Sequence, residues 1–224
     1  MKNYISEYSE YKIKADDILK IDVVSDNPET ALPFNPDALS TRMATNKDAL
    51  LFNGYQVNSD GFINFPTLGK LKVSNITISE LREMIYKQIK DGGYLVNPNV
   101  DIKLINAHFT ILGEVNKPGR YEFIKNNLNI LEAIGTAGDL TINGVRNNIK
   151  LIRDNNGKKL ITYIDLTKSD FLAENSYQVF SGDIIIVNPN STRIKNAGII
   201  GNSGTLLSLF SFILSSIIVI SNSN

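Results

Sequence analysis

Cysteine and tryptophan are both absent from the 224 residues. Without cysteine the chain has no disulfide, no thiol nucleophile and no thiolate metal ligand. Histidine occurs once, as His108. A histidine-centred acid–base site or metal cluster would need partners that the flanking sequence does not supply, so this residue reads as structural. A surplus of either charge is missing too: 23 Lys plus Arg stand against 23 Asp plus Glu. That balance excludes the basic excess of a duplex nucleic-acid binder and the acidic excess of a disordered chain, so no nucleic acid is expected as partner. A phosphate loop is lacking as well. Gly135-Thr136-Ala137-Gly138 has no Gly-Lys-Ser/Thr ending and follows a helix instead of opening one. Residues 1–20 contain no apolar core of signal-peptide length. Either the chain is cytosolic, or a leader, and with it a lipidated N-terminal cysteine, has been removed.

What is present is a 42% hydrophobic content, enough for one or two small cores. Tyr11-Lys12-Ile13-Lys14 alternates with period two, as a half-buried strand does, and the turn Ala15-Asp16-Asp17 leads into a second strand from Ile18 to Val24. Asn27 to Asn53 is polar, carries prolines and is too long for a turn. Tyr55–Val57 and Phe62–Phe65 flank Asn58-Ser59-Asp60-Gly61 and read as a hairpin, because Asp-Gly supplies the positive φ of a tight turn. Thr77 and Glu80 have capping-box spacing, and Leu81, Met84, Ile85 and Ile89 form one apolar stripe, so a helix is expected up to Asp91-Gly92-Gly93. Val100, Ile102 and Leu104 alternate as a strand.

The pattern repeats on a smaller scale. Phe109–Val115 and Tyr121–Phe123 surround the turn Asn116-Lys117-Pro118-Gly119. Asn129 caps a short helix that Gly138 stops. Strands are expected at Ile149–Arg153, Leu160–Ile164 and, as a buried run, Ile184–Val187. Asp16, Asp17, Asp60, Asp139 and Asp183 all sit beside turns. A carboxylate pair across a cleft is one reading; acceptors for turn N–H groups is the better one. Asp16-Asp17-Ile18-Leu19-Lys20-Ile21 and Gly182-Asp183-Ile184-Ile185-Ile186-Val187 share a plan, an aspartate turn followed by an aliphatic strand. No catalytic, cofactor-binding or metal-binding residue emerges, and the chain is not expected to be an enzyme.

In order and spacing these motifs resemble the outer-membrane polysaccharide export family, the Wza-like proteins. The first block is Tyr11 through Ile21, with Ala15-Asp16 in place of the usual Pro-Gly. It continues with Tyr55, Val57, Asp60-Gly61, Phe65-Pro66, Gly69, Ser79-Glu80, Pro98 and Val100. The second block is Gly113-Glu114-Val115, Pro118-Gly119, Tyr121, Leu131–Ile134, Ala137-Gly138 and Gly182–Val187, which looks like the family's SLBB module. The resemblance implies an α+β chain of two small mixed α/β domains, a polysaccharide-export domain at 10–105 and a β-grasp-like SLBB domain at 107–190. A C-terminal membrane-spanning helix is expected at 197–221.

It further implies a homo-oligomeric ring, an octamer, with its folded domains in the periplasm and its helices in the outer membrane. The cargo would be a capsular or exo-polysaccharide, and the partner an inner-membrane polysaccharide co-polymerase. The alternative is a membrane-anchored SLBB glycan-binding module that forms no pore.

The tail fits such a span. No charge occurs from Asn196 to Asn224; Thr205–Ile220 as a helix would extend about 24 Å, short of a ~30 Å hydrocarbon core, and a start near Ala197 makes it long enough. On a helical wheel Thr205, Ser208, Ser211, Ser215 and Ser216 share an arc of about 140° and are the candidate pore-facing residues. Leu206, Leu209, Phe210, Ile213, Leu214, Ile217 and Ile220 fill the rest as membrane-spanning residues, while Phe212 and Val219 intrude on the polar arc. A plain single-pass anchor, or a tail-anchored cytosolic protein with Arg193 and Lys195 on the inner side, would carry the same residues.

Overall fold

The computed structural model of the chain describes residues 9–36, 51, 53–124, 128–155, 157–173, 177–191, 204, 207, 208 and 210–215. Two hydrophobic clusters organise its mixed α/β structure, and they meet at the linker between Leu104 and His108.

The first domain runs in the order β1 (Ile18–Val24), α1 (Pro28–Ala31), a 3-10 turn (Leu32–Phe34), β2 (Tyr55–Gln56), β3 (Phe62–Phe65), β4 (Gly69–Lys72), α2 (Ile78–Asp91) and β5 (Asn99–Leu104). β1 lies between β2 and β5, antiparallel to both, with Ile21 opposite Ile102 and Val23 opposite Val100. Burial alternates along it, so Leu19, Ile21 and Val23 face the core. α2 forms because Thr77 accepts from the Glu80 N–H while the Glu80 carboxylate accepts from the Thr77 N–H. Its stripe of Leu81, Ile85 and Ile89 is fully buried in the same cluster, each side chain worth about 1.5–3 kcal/mol. Gly92 ends the helix, and Gly93 follows at φ +69.

The second domain follows as β6 (His108–Gly113), β7 (Gly119–Glu122), β8 (Leu128–Asn129), α3 (Ile130–Thr136), β9 (Gly144–Asn155), β10 (Lys158–Ile164), a 3-10 turn (Asp170–Ala173), β11 (Gln178–Val179) and β12 (Ile184–Pro189). Five strands form one sheet in the order β10-β9-β12-β6-β7, parallel only between β12 and β6. β8 and β11 make a small separate ribbon. α3 starts on a second capping box, between Asn129 and Glu132, and buries Ile130, Ala133 and Ile134. Where β6 passes β12, Gly113 has φ +89, and a Cβ there would lie 2.0 Å from the Val187 carbonyl oxygen.

Three sequence expectations are corrected. Residues 11–14 are not a strand: Lys12 makes a single bridge to Thr77, and Ile13 exchanges main-chain hydrogen bonds with Asn75 and Ile76. The Asn58–Gly61 turn is present, but β2 pairs with β1 while β3 pairs with β4. The Gly-Lys-Leu-Lys of β4 offers one apolar residue, too little to be seen by alternation. Ile184–Val187 is not buried throughout: Ile185 and Val187 are, whereas Ile184 and Ile186 face the other side of the sheet, half-buried. Most of the polar stretch between Asn27 and Asn53 lies outside the described residues; its start folds as α1 and the 3-10 turn, which places Phe34 in the core.

The order along the molecule is linear. β6 and β12 start, and β9 ends, at the end of the sheet that touches the first domain, where Lys14 Nζ donates to the Asp154 carbonyl at 2.8 Å. The chain leaves β12 at the opposite end, where the Asn190 N–H donates to the Asn143 carbonyl.

Candidate functional site: the junction between the two domains

The two aspartate turns that share a plan in the sequence meet at this junction. In each, the aspartate carboxylate accepts from a backbone N–H three residues earlier, Lys14 for Asp17 and Phe180 for Asp183, both at 2.8 Å. Both carboxylates are buried, and each has a second partner. Tyr11 donates its hydroxyl to Asp17 at 2.9 Å. Arg153 grips Asp183 through Nε at 2.9 Å and Nη2 at 2.7 Å, while Nη2 also donates to the Gln178 carbonyl at 2.6 Å. This fork geometry fixes the guanidinium in a plane.

Phe180 lies between the two halves. The Arg153 guanidinium carbon is 4.2 Å from its ring centroid, a cation–π contact, and the Tyr11 ring approaches edge-on at 6.0 Å. Ser9 adds a main-chain hydrogen bond to the Gln178 side chain. In the linker, Asn106 accepts from the Ile18 N–H and donates to the Asp16 carbonyl, so the interdomain segment is tied to the start of β1. Phe123 packs on both cores.

Burial raises the Asp17 carboxyl above its ordinary value, although the Lys14 N–H and the Tyr11 hydroxyl favour its charged form. Burial, then the nearby Asp17 charge, pushes the Tyr11 phenol well above its ordinary value. The Tyr11 phenol keeps its proton and donates it to Asp17, which suits a fixed joint. Beside the joint lies a cavity of about 120 Å³, with Tyr11, Phe123, Val179 and Phe180 as walls and Glu10 and Arg82 among its polar lining. It has the mixed lining of a small binding recess. No group of three or more potential metal ligands occurs among the described residues.

Sequence reasoning named Asp17 and Asp183 as turn acceptors, which both are, but missed Tyr11, Arg153 and Phe180 as their partners. Asp139 accepts from the Leu140 N–H and pairs with Arg146 at 3.0 Å; Asp16 and Asp60 are exposed. His108 opens β6, its Nδ1 3.1 Å from the Asn106 carbonyl oxygen, a structural position.

Of the tail positions, Thr205, Leu206, Leu209, Ser216, Ile217 and Ile220 lie outside the described residues. Ser208, Phe210, Ser211, Ile213, Leu214 and Ser215 are helical and exposed. Ser211 and Ser215 donate their hydroxyls to the carbonyls of Ser208 and Phe212, three residues back. Each hydroxyl thus has a partner inside the helix, as a serine in an apolar medium requires. No helix among the described residues is long and apolar enough to cross a membrane.

Comparison with known proteins agrees with this architecture. Residues 6–105 match the family model of the polysaccharide biosynthesis/export proteins, and residues 108–163 match the SLBB domain. The chain is 27% identical over 191 residues to the EPS I polysaccharide export outer membrane protein EpsA of Ralstonia solanacearum, covering 83% of this chain and 49% of that protein. It is 29% identical over 155 residues to EpsA of Ralstonia nicotianae, covering 66% of this chain and 40% of that protein. It therefore spans half or less of the length of these relatives. The two matched domains, an export domain followed by an SLBB domain, together with these EpsA relatives support a Wza-like polysaccharide export family for this chain, a family of transporters and not of enzymes.

Proposed function

We propose that the protein is a ring-forming translocon subunit that exports a capsular or exo-polysaccharide across the outer membrane. The observation that carries this reading is the linear order of the parts: export domain, SLBB domain, then an apolar tail leaving from the far pole. With the tail in the outer membrane, the export domain projects into the periplasm, where an inner-membrane polysaccharide co-polymerase can reach it. In this reading residues 10–105 and 107–190 are the two periplasmic modules and 197–221 is the span.

On a helical wheel Ser208, Ser211 and Ser215 fall within about 60° of one another, with Ile213 opposite them and Phe210 and Leu214 along one flank; in this reading the serine side faces the pore and the Ile213 side the lipid. The serine hydroxyls, bonded to their own helix, would leave a smooth neutral wall that does not hold a hydrated polymer. The rival reading, an anchored glycan-binding module without a pore, is favoured by the cavity walled by Tyr11 and Phe180.

Separation of inner and outer membranes from cells that make the full precursor tests the location, and polymer secretion in the same cells tests the role. The reading expects the protein in the outer-membrane fraction and polymer retained inside cells when residues 197–221 are deleted. Recovery in the cytosol or the inner membrane would refute it.

A further inference from the structure

The five-stranded sheet is apolar on both faces, and only one is covered. The inner face carries Ile149, Leu151, Ile185 and Ile111 against α3. In the register of the sheet, Ile161, Ile152 and Ile184 stand side by side on the outer face, and Tyr163, Lys150, Ile186 and Leu112 form the next row. Neither hydrophobic core includes these side chains. Leu112 is 42%, Ile161 49% and Tyr163 60% exposed. Polar residues bound the patch: Lys159, Asp154, His108 and Glu122 toward the first domain, Asn148 and Asn188 toward the tail. Strands that are apolar on alternate and intervening positions alike are those covered on both sides, and an apolar patch with a polar rim marks a contact surface.

We propose that this outer face is the seat of a second copy of the chain, whose α3 side packs onto it in a head-to-tail contact that closes the ring. The proposal rests on the ring reading above and names its surface. Three observations select this occupant. The strands run along the line from the first domain to the tail, so rotation about that line, the ring axis, brings a neighbour against the side of the sheet. Lys150 stands in the middle of the patch, so two such faces meeting each other would oppose like charges. The far side of the domain offers Leu131, 45% exposed, with Gly135 one turn on and open space beyond it, and the Glu132 carboxylate as a complement to Lys150. A contact between two different patches of one chain is the kind that generates a ring. The tail is not the cover in its described part, since Phe210, Phe212, Ile213 and Leu214 are all more than half exposed.

The absence of cysteine makes a direct test available. Full-length Ile161→Cys, Leu131→Cys and the double variant are extracted in mild detergent and treated with a short bis-maleimide. Both side chains are exposed, so folding is expected to be unchanged, checked by thermal melting. The double variant should give a ladder of covalent oligomers, and each single variant should remain monomeric on denaturing gels. A covalent dimer from Ile161→Cys alone would show the faces meeting each other and overturn the proposal. So would an intramolecular cross-link in an Ile161→Cys/Phe212→Cys variant, which would make the tail the cover. If no variant cross-links while the native protein has the mass of a ring, the surface is wrong and the ring stands. If the native protein is a monomer, the ring reading falls and this proposal with it.

Discussion

Replacing Asp183 by alanine strips the junction of its most buried charge and leaves the partner in place. Asp183 is 1% exposed and the Arg153 side chain 15%, so the guanidinium would keep only the Gln178 carbonyl and the face of Phe180. Breaking a buried pair on one side costs about 3–5 kcal/mol, because the remaining charge is uncompensated. At a urea slope of about 2 kcal/mol per molar, that lowers the unfolding midpoint by about 1.5–2.5 M. The assay is urea titration of the full chain in mild detergent, followed by far-UV circular dichroism. Two controls frame it. Arg153→Met with Asp183→Leu should recover much of the loss, since apolar replacement of both partners removes the stranded charge. Lys159→Ala, which breaks the exposed pair with Asp154, should leave the midpoint where it was. A fall of less than about 0.5 M for Asp183→Ala, far below the loss expected for an orphaned buried charge, would refute the claim that this pair holds the joint.

Three further outcomes follow from the same structure. Asp17 has a folded-state pKa raised above 3.8 by burial, so its contribution to stability is largest below the unfolded value and is lost as pH rises through the folded one. Melting temperatures should therefore show native protein losing ground to Asp17→Asn as pH climbs from about 4; a difference that is flat or widens in favour of native would contradict this. Gly113→Ala should cost well over 1 kcal/mol, because φ +89 and the Val187 carbonyl both oppose a Cβ, whereas Gly119→Ala, with nothing within 4 Å, should stay within about 1 kcal/mol of native. Chemical denaturation compares the two. Ile213→Lys should reduce insertion of the tail into outer-membrane-like vesicles by about 2.5–3.5 kcal/mol, while Ser211→Ala should leave it unchanged. Equal partitioning of native and Ile213→Lys would count against a membrane span.

Much of the local structure was legible because it is written locally. Thr77 with Glu80 spelled out the cap of α2, Asn129 and Gly138 bracketed α3, and Asn116–Gly119 marked the turn between β6 and β7. β4 was not legible, since Gly-Lys-Leu-Lys carries too little pattern, and its absence led β2 to be paired with β3. The junction was half legible. Its two aspartates showed as a repeated turn, but their partners are set by tertiary packing: Arg153 lies 30 residues from Asp183, and Phe180 meets Tyr11 across the domain boundary. A continuous apolar run predicts burial of all of Ile184–Val187, but only Ile185 and Val187 are buried. Ile184 and Ile186 point to the outer side of the sheet, which the alternation of a strand dictates and a continuous apolar run conceals.

The central claim is that copies of this chain close into a ring around an export path. The most direct test is the mass of the 224-residue chain extracted in mild detergent, measured by light scattering with the detergent contribution subtracted. The account predicts one discrete species of many subunits, stable on dilution. A monomer or dimer of the 24.8 kDa chain would contradict it.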